Sequence, residues 1–457
     1  MDKVVYVVSD LHLGPGWLPS GELDPLEDFT ADEAFAQFLA QIGATPTPIE
    51  LVIAGDFFEY CQTLPEIGLA SPDDSLGCTE AESIRRTNVI LGQSPEIATG
   101  HPLVIAALRR FMMDGHSITI IAGNHDIDLL WDDVWALVFD AIYPPGAWGD
   151  LRLLEFSYTL GDGERGRVYI EHGHEHDKAN RFGDQMTQPF GMDRFGVRRL
   201  KHCWGTLFVD KVYNQLEEER WFIDNVKPIP RVIQLGLRND IRFTATALGL
   251  VARFLLTSGL PPLLGGSDEL TDGVAPPMFA TQQVVDGLAD PDLRAHLQAQ
   301  MADDAFRAEF EQALQGAGGV EIAAALGGAS LQLTLDDVSV VAGGEVVLGG
   351  SSGGEEDAYK AAARAELEND PSLATVIMGH THGPQDGYLD PIDRYDGSQG
   401  YYFNSGTWTR HLKDERGRGY SWQEIADEEN YTVSLTYIKL EPDGQGGYRA
   451  ALGSWVE

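Results

Sequence analysis

Over the first 177 residues of this chain, short runs of Val, Ile and Leu alternate with longer stretches that are apolar on one side only. The runs are "KVVYVVSD", "IELVIAGD", "SITIIAGN" and "RVYIEHG". Each is apolar at nearly every position rather than at every second one, which predicts strands covered on both faces. Between them, "TADEAFAQFLAQIG" and "HPLVIAALRRFMMDG" repeat apolar residues at helical spacing. The first has Thr30 placed as an N-cap and stops at Gly43, and the second stops at Gly115. Residues 61–100, rich in Gly, Pro, Ser and Asp, read as a long excursion over the surface.

Beyond Asp177 the pattern changes. "WGTLFVDKVYNQLEEERWFIDNV" keeps helical spacing, and "TATALGLVARFLLTSGLPPLL" is markedly apolar. Arg253, Gly259 and a proline pair interrupt the latter, so it reads as a lid or an interface-seeking segment, with peripheral membrane contact through 244–264, rather than a membrane span. Residues 265–356 are rich in Gly, Ala and Asp, and "GGEVVLGGSSGGEED" reads as flexible connection. Order returns with the helix "EDAYKAAARAELE" and the strand "ATVIMGH", after which "GYYFNSGTW", "YTVSLTYIKL" and "GYRAALGSWV" predict three more strands. The chain thus reads as an α/β protein with a discontinuous core, 1–177 and 371–457. A cap at 178–370 divides it, helical at 178–264 and flexible in parts of 265–356.

Composition narrows the chemistry. The formal charge of −39 repels anions and argues against a broad nucleic-acid-binding face, which needs clustered Lys and Arg. Against that background, Lys178 to Arg253 holds 13 Lys+Arg and 8 Asp+Glu, a local charge of +5. Arg194, Arg198, Arg199 and Lys201 are the basic residues there best suited to gather an anionic substrate, although they also suit a solvated helix face making ordinary ion pairs. Cys61, Cys78 and Cys203 are too few and too scattered for a disulfide framework or a Cys-based zinc site, so any metal is expected on His and carboxylates. The start "MDKVVYVVSD" reads as a first strand and not as a secretory signal, which makes the cytoplasm the expected compartment.

Five apolar strands end in a short polar motif. These carry Asp10 and His12 in "VVSDLHLG", Asp56 in "VIAGDFFEY", Asn124 and His125 in "IIAGNHD", His172 in "YIEHGHEHD", and His380 and His382 in "VIMGHTHG". In open α/β sheets the crevice beyond the carboxyl ends of the strands collects ligands, so distant residues can meet there. If the backbone is extended, Asp10 and His12, like His380 and His382, project to one side in pairs. Glycines 55, 123, 173 and 379 flank these donors, where a side chain would crowd the turn. Leaving His125 aside, the four imidazoles of His12, His172, His380 and His382, the two carboxylates of Asp10 and Asp56 and the amide of Asn124 are too many donors for a single four-coordinate zinc, and they suit two ions of manganese, iron or zinc that share a carboxylate.

The ordered series D-x-H, G-D, G-N-H-D, H-G-H, G-H-x-H resembles the calcineurin-like metallophosphoesterase superfamily, and "FNSGTW" resembles that family's Asn-small-Gly segment. The resemblance covers 1–177 and 371–408. It implies a four-layer αββα sandwich of two mixed β-sheets. It also implies that Asp10, His12, Asp56 and His382 hold one divalent metal and that Asp56, Asn124, His172 and His380 hold the other, with Asp56 shared. Two such ions, roughly 3.5–4 Å apart, are expected to activate a bridging hydroxide for direct attack on phosphorus. The resemblance places His125 over the substrate as a catalytic proton donor or charge stabiliser, with Asp126 orienting it, and His174 as a lining residue. His176 is expected to make an ordinary hydrogen bond, and Glu59 to anchor a neighbouring loop. Within the superfamily, "SDLHLG" and "GDFFEY" are most similar to the UDP-diacylglucosamine pyrophosphatase type. The insertion is far longer here, and His125 stands where that branch carries Arg. The expected substrate is a phosphorylated small molecule, or a nucleotide- or lipid-linked one. The alternatives are a DNA-processing nuclease sharing the G-N-H-D motif and a non-catalytic scaffold on the same fold.

Overall fold

The structure is a computed structural model that describes residues 3–67, 76–184, 186–223, 356–413 and 420–455, with isolated positions between 225 and 308. In chain order, β1 (Val5–Val8), α1 (Asp32–Ile42), β2 (Glu50–Ala54), α2 (Glu80–Ile90), α3 (Pro102–Met113) and β3 (Ser117–Ile121) are followed by α4 (Asp132–Ile142), β4 (Leu151–Leu154), β5 (Ser157–Leu160) and β6 (Arg167–Glu171). Next come β7 (Phe190–Met192), β8 (Arg198–Leu200), α5 (Trp204–Phe208) and α6 (Asn214–Glu217), then α7 (Glu356–Asn369), β9 (Leu373–Met378), β10 (Ile392–Asp393) and β11 (Gln399–Asn404). The chain finishes with β12 (Arg410–Leu412), α8 (Trp422–Ile425), β13 (Tyr431–Val433), β14 (Thr436–Pro442) and β15 (Tyr448–Ser454).

Two mixed sheets carry the fold. One has the order β15-β14-β1-β2-β3-β4, with β1 to β4 parallel and β14 antiparallel to both neighbours. The other has the order β10-β11-β9-β6-β5, parallel at its centre and closed by antiparallel edge strands. Alternation along each strand explains the unbroken apolar runs. Val5, Val7, Val52, Ala54 and Ile121 pack against Val168, Ile170, Ile377 and Phe403 between the sheets. The intervening Val8, Leu51, Ile53, Ile118 and Ile120 face Phe35, Leu108 and Val138 of α1, α3 and α4. On the far side, Val376, Met378 and Tyr402 pack under Tyr359, Ala363 and Leu367 of α7. The result is the four-layer αββα sandwich.

Three local expectations are corrected. Thr30 does not cap α1: the N-cap is Ala31, without a side-chain bond, and Asp32 and Glu33 in the first turn complement the helix dipole instead. Residues 61–100 do not simply run over the surface. They contain α2, started by a capping box in which Thr79 and Glu82 exchange hydrogen bonds and burying Ser83, Arg86, Thr87, Val89 and Ile90. The expected helical stretch 178–264 is not helical at its start, because β7 and β8 form an antiparallel hairpin there. Its Leu200 is bonded on both sides, to Gly77 N at 2.7 Å and to Cys78 O at 2.9 Å. Helix begins only at Trp204.

Contacts divide the chain into two compact units. Met1–Thr206, Gly349–His411 and Thr432–Glu457 form the first, which holds both sheets, and Leu207–Leu348 with Leu412–Tyr431 form the second. Within the second, Phe222 packs on Trp422 and Trp221 on Tyr431. Apart from isolated positions, the expected membrane-contact segment 244–264 and the Gly/Ala/Asp-rich stretch 265–356 lie outside the described residues. Among the described residues, no helix is long and apolar enough to cross a membrane.

Candidate metal centre

All five strand-end motifs lie in the first unit, and their donors converge in two sets, Asp10 with His12 and His382, and Asp56 with His172 and His380, each able to hold a metal ion. The backbone that delivers them is not extended. Asp10, His12, Asp56, His380 and His382 have φ of 53°, 49°, 49°, 67° and 57°, in the left-handed region that non-glycine residues avoid. The expected i, i+2 pincers therefore arise from turns and not from strand pleat. Neighbours hold the turns in place. Asp10 N donates to Gly55 O at 3.1 Å and His12 N to Asp56 O at 2.9 Å, which stitches the two loops together. Trp408 N and Thr407 Oγ1 donate to Asp10 O, and His380 N donates to both Asp10 carboxylate oxygens at 3.0 Å. Asn404 Nδ2 donates to Gly379 O at 2.7 Å and to Thr381 Oγ1 at 3.0 Å, so the "FNSGTW" segment clamps the last motif.

Close approach accounts for the flanking glycines. A Cβ at Gly123 would lie 2.1 Å from Asp56 Oδ1, and one at Gly55, where φ is +90°, would lie 2.3 Å from the His172 ring. Neither overlap leaves room for any other residue.

The tautomers leave lone pairs facing one another. His172 Nδ1 donates to Ala54 O at 3.0 Å, so Nε2 offers a lone pair to Asp56 Oδ2 at 3.0 Å and to Asn124 Oδ1 at 3.2 Å, both acceptors. His12 Nδ1 is bonded to Glu59 at 2.8 Å, and its Nε2 lies 3.2 Å from His382 Nε2 and 3.7 Å from Asp56 Oδ2. Converging acceptors need positive charge between them. Burial pushes the His172 imidazole down, but Asp56 and Asp10 outweigh it and hold it at about 9, so the field at Nε2 favours positive charge, a proton on the metal-free ring or a metal ion that displaces it and takes the lone pair. Burial likewise pushes the Asp56 carboxyl up, and the surrounding His172 and His125 hold it well below the ordinary carboxylate range. The donor set, its burial and its field all fit divalent metal ions.

His125 reaches the same cluster, grouped with His12 and Asp56, and its side chain keeps 18% exposure. Asp126 is not its partner. The Asp126 carboxylate accepts from Gly123 N at 2.5 Å and Phe57 N at 2.7 Å, which ties the third motif to the second. Burial and the neighbouring Asp56 push Asp126 up to about 7. The group that holds His125 is Glu59, 2.6 Å from Nδ1. Glu59 also anchors its loop, accepting from Cys61 N and Gln62 N, while bonding His12 with the same oxygen that meets His125. Burial pushes the Glu59 carboxyl up, but His125 and His12 prevail and keep it at about 2. Glu59 was legible as a loop anchor in "GDFFEY"; its reach to two imidazoles was not.

Asp177, the last residue of the "YIEHGHEHD" motif, was also missed. Its Oδ2 lies 3.2 Å from His380 Nε2 and accepts from Asn180 Nδ2 at 2.6 Å, the carboxylate–histidine contact that orients metal-binding imidazoles. His176 bonds Glu171 at 2.6 Å. His174 does not line an open wall: it is fully buried beside Phe156, Phe182 and His172, and burial keeps its imidazole well below the ordinary histidine range.

The basic residues lie on the β7–β8 hairpin and not on a helix. Arg199 is bonded to Asp193 at 3.0 Å and paired with Glu82 at 3.5 Å, and Lys201 is paired with Asp184. Arg198 covers the rings of Trp131 and Phe190, and Arg194 covers Phe195.

Among known families, the model described as calcineurin-like phosphoesterase matches residues 3–236, just over half of the 457. No curated protein matches the chain.

Proposed function

Because the chain belongs to the calcineurin-like phosphoesterase family, and is on that ground a metal-dependent phosphoesterase, we propose that it hydrolyses a phosphoester or phosphoanhydride bond with two divalent ions held at the strand ends. Asp10, His12, Asp56 and His382 hold one ion; Asp56, Asn124, His172 and His380 hold the other. The observation that carries this reading is the position of Asp56, whose Oδ2 lies 3.0 Å from His172 and 3.7 Å from His12, so that one carboxylate serves both sets. The mix of imidazole and oxygen donors suits manganese, iron or zinc. When bound, such ions supply Lewis acidity and lower the pKa of water.

The chain's own residues supply the rest. Glu59 engages Nδ1 of His125, so Nε2 is the atom that delivers a proton to the leaving oxygen. Burial pushes the His125 imidazole down, and the Glu59 charge together with Cys61 and Asp56 holds it well above the ordinary histidine range, a field that favours the protonated ring. The substrate is an anionic small molecule, or a nucleotide- or lipid-linked one.

The test is turnover by purified protein resupplied with manganese, iron or zinc, using bis(p-nitrophenyl) phosphate, p-nitrophenyl phosphate, a nucleotide-sugar and single-stranded DNA, with metal content measured in parallel. Hydrolysis of a small phosphoester at two ions per chain is expected. A protein that binds two ions and hydrolyses none of these supports the scaffold alternative, and a preference for DNA by orders of magnitude replaces the small-molecule reading with a nuclease.

A further inference from the structure

One more group of donors sits beside the cage. Glu59, Cys61 and His125 each offer a ligand atom, and the three atoms lie within 4.8 Å of one another. The set differs in kind from the others, because it includes a thiol. Sulfur with imidazole and carboxylate selects soft or borderline ions, zinc and cadmium before manganese or magnesium. Zinc–donor bonds of about 2.0–2.3 Å put tetrahedral donors roughly 3.3–3.8 Å apart. Glu59 and His125, now 2.6 Å apart, would have to part by about an ångström, and the partly exposed His125 has the freedom to turn.

Burial pushes the Cys61 thiol up to about 12, so at neutral pH it stays protonated and inert until a cation replaces its proton.

We propose that Glu59, Cys61 and His125 form a third, inhibitory site for a soft divalent ion, zinc or cadmium, which turns the His125 ring and so withdraws its Nε2 from the leaving oxygen. The inhibitory half rests on the role given to His125 above. On binding, the Cys61 Sγ–H and His125 Nδ1–H protons pass to solvent as the Sγ–metal and Nδ1–metal bonds form. Nothing is oxidised or reduced, and the ion leaves when a chelator returns the protons.

The experiment uses the full chain loaded with manganese, to which cadmium is added while the ultraviolet thiolate-to-cadmium charge-transfer band and bis(p-nitrophenyl) phosphate turnover are followed together. The band is expected in the wild type and in Cys78→Ser, but not in Cys61→Ser or Cys61→Ala. Wild-type turnover should fall tenfold or more as the band grows, while both Cys61 variants should need at least tenfold more cadmium for the same loss. No band in the wild type, a band that survives in both Cys61 variants, or equal inhibition of wild type and variants overturns the proposal. A band without inhibition overturns the inhibitory half and removes His125 from the reaction. A band in a protein that hydrolyses nothing before cadmium is added sinks the proposed function and leaves the third metal site standing.

Discussion

His12 and His101 are both buried imidazoles bonded to carboxylates, and they differ in what the second ring nitrogen meets. At His101, Nε2 meets Glu27 at 3.1 Å and Nδ1 meets Asp32 at 3.0 Å, while Phe29 packs against the ring. Glu27 is used up as well, since it accepts from Gly16 N and Phe29 N. Every polar atom of that ring has a complementary partner, so the ring is a closed structural joint. At His12, Glu59 takes Nδ1, but Nε2 points towards His382 and two carboxylates, groups that also have lone pairs to offer. Identical residue types therefore make either a strut or a cage, and the difference lies in whether acceptors face donors or face each other.

The contrast breaks first at the shared carboxylate. Asp56→Ala should reduce phosphoester turnover by about 1,000-fold or more and lower the metal content, because it removes one ligand from each proposed ion; a variant that keeps full activity and two ions refutes the cage. In the manganese-loaded protein, His125→Ala should slow turnover by roughly 100-fold with metal content unchanged, since this ring moves a proton without holding either of the two catalytic ions. Elemental analysis beside kcat separates the two.

Glu59→Gln tests whether the contact behind the cage matters. Loss of the charge that orients His12 and His125 should weaken metal binding about 10-fold to 100-fold and lower kcat with little change in KM. An unchanged metal affinity would reduce Glu59 to the loop anchor that its bonds to Cys61 and Gln62 already make it.

The smallest effect on activity belongs to the strut. His101→Gln should leave turnover within about twofold and act on stability instead. Burial pushes the His101 imidazole down, but Glu27 and Asp32 hold it at about 9, above the ordinary 6.5. A raised folded-state pKa stabilises fully below about 6.5 and is lost as pH rises through about 9, with up to about 3 kcal/mol at stake. Denaturant midpoints of the wild type should fall across that window more steeply than those of His101→Gln. Parallel slopes would show that the pair of carboxylates does not hold the proton.

The donors were legible because each ends an apolar run, and a run's end is a local property. Glu59 and Asp177 were harder to see, since nothing in "GDFFEY" or "HGHEHD" says that a carboxylate will meet an imidazole from another strand. Asp126 was expected from the family resemblance to orient His125, yet its oxygens turn back to Gly123 N and Phe57 N. The Arg and Lys cluster was read as gathering an anionic substrate or lying on a solvated helix face, and its charges gave no hint of the hairpin that pairs with Gly77 and Cys78.

From its sequence alone, the chain determines which strands are buried on both sides, where they end and which donors stand at those ends, because hydrophobic pattern and turn chemistry act over a few residues. Tertiary structure alone decides that five of those donors sit at positive φ, that Glu59 serves two rings, and that His101 is sealed while His12 is not. Those outcomes depend on distances between atoms far apart along the chain, which the packing of one sheet on the other sets.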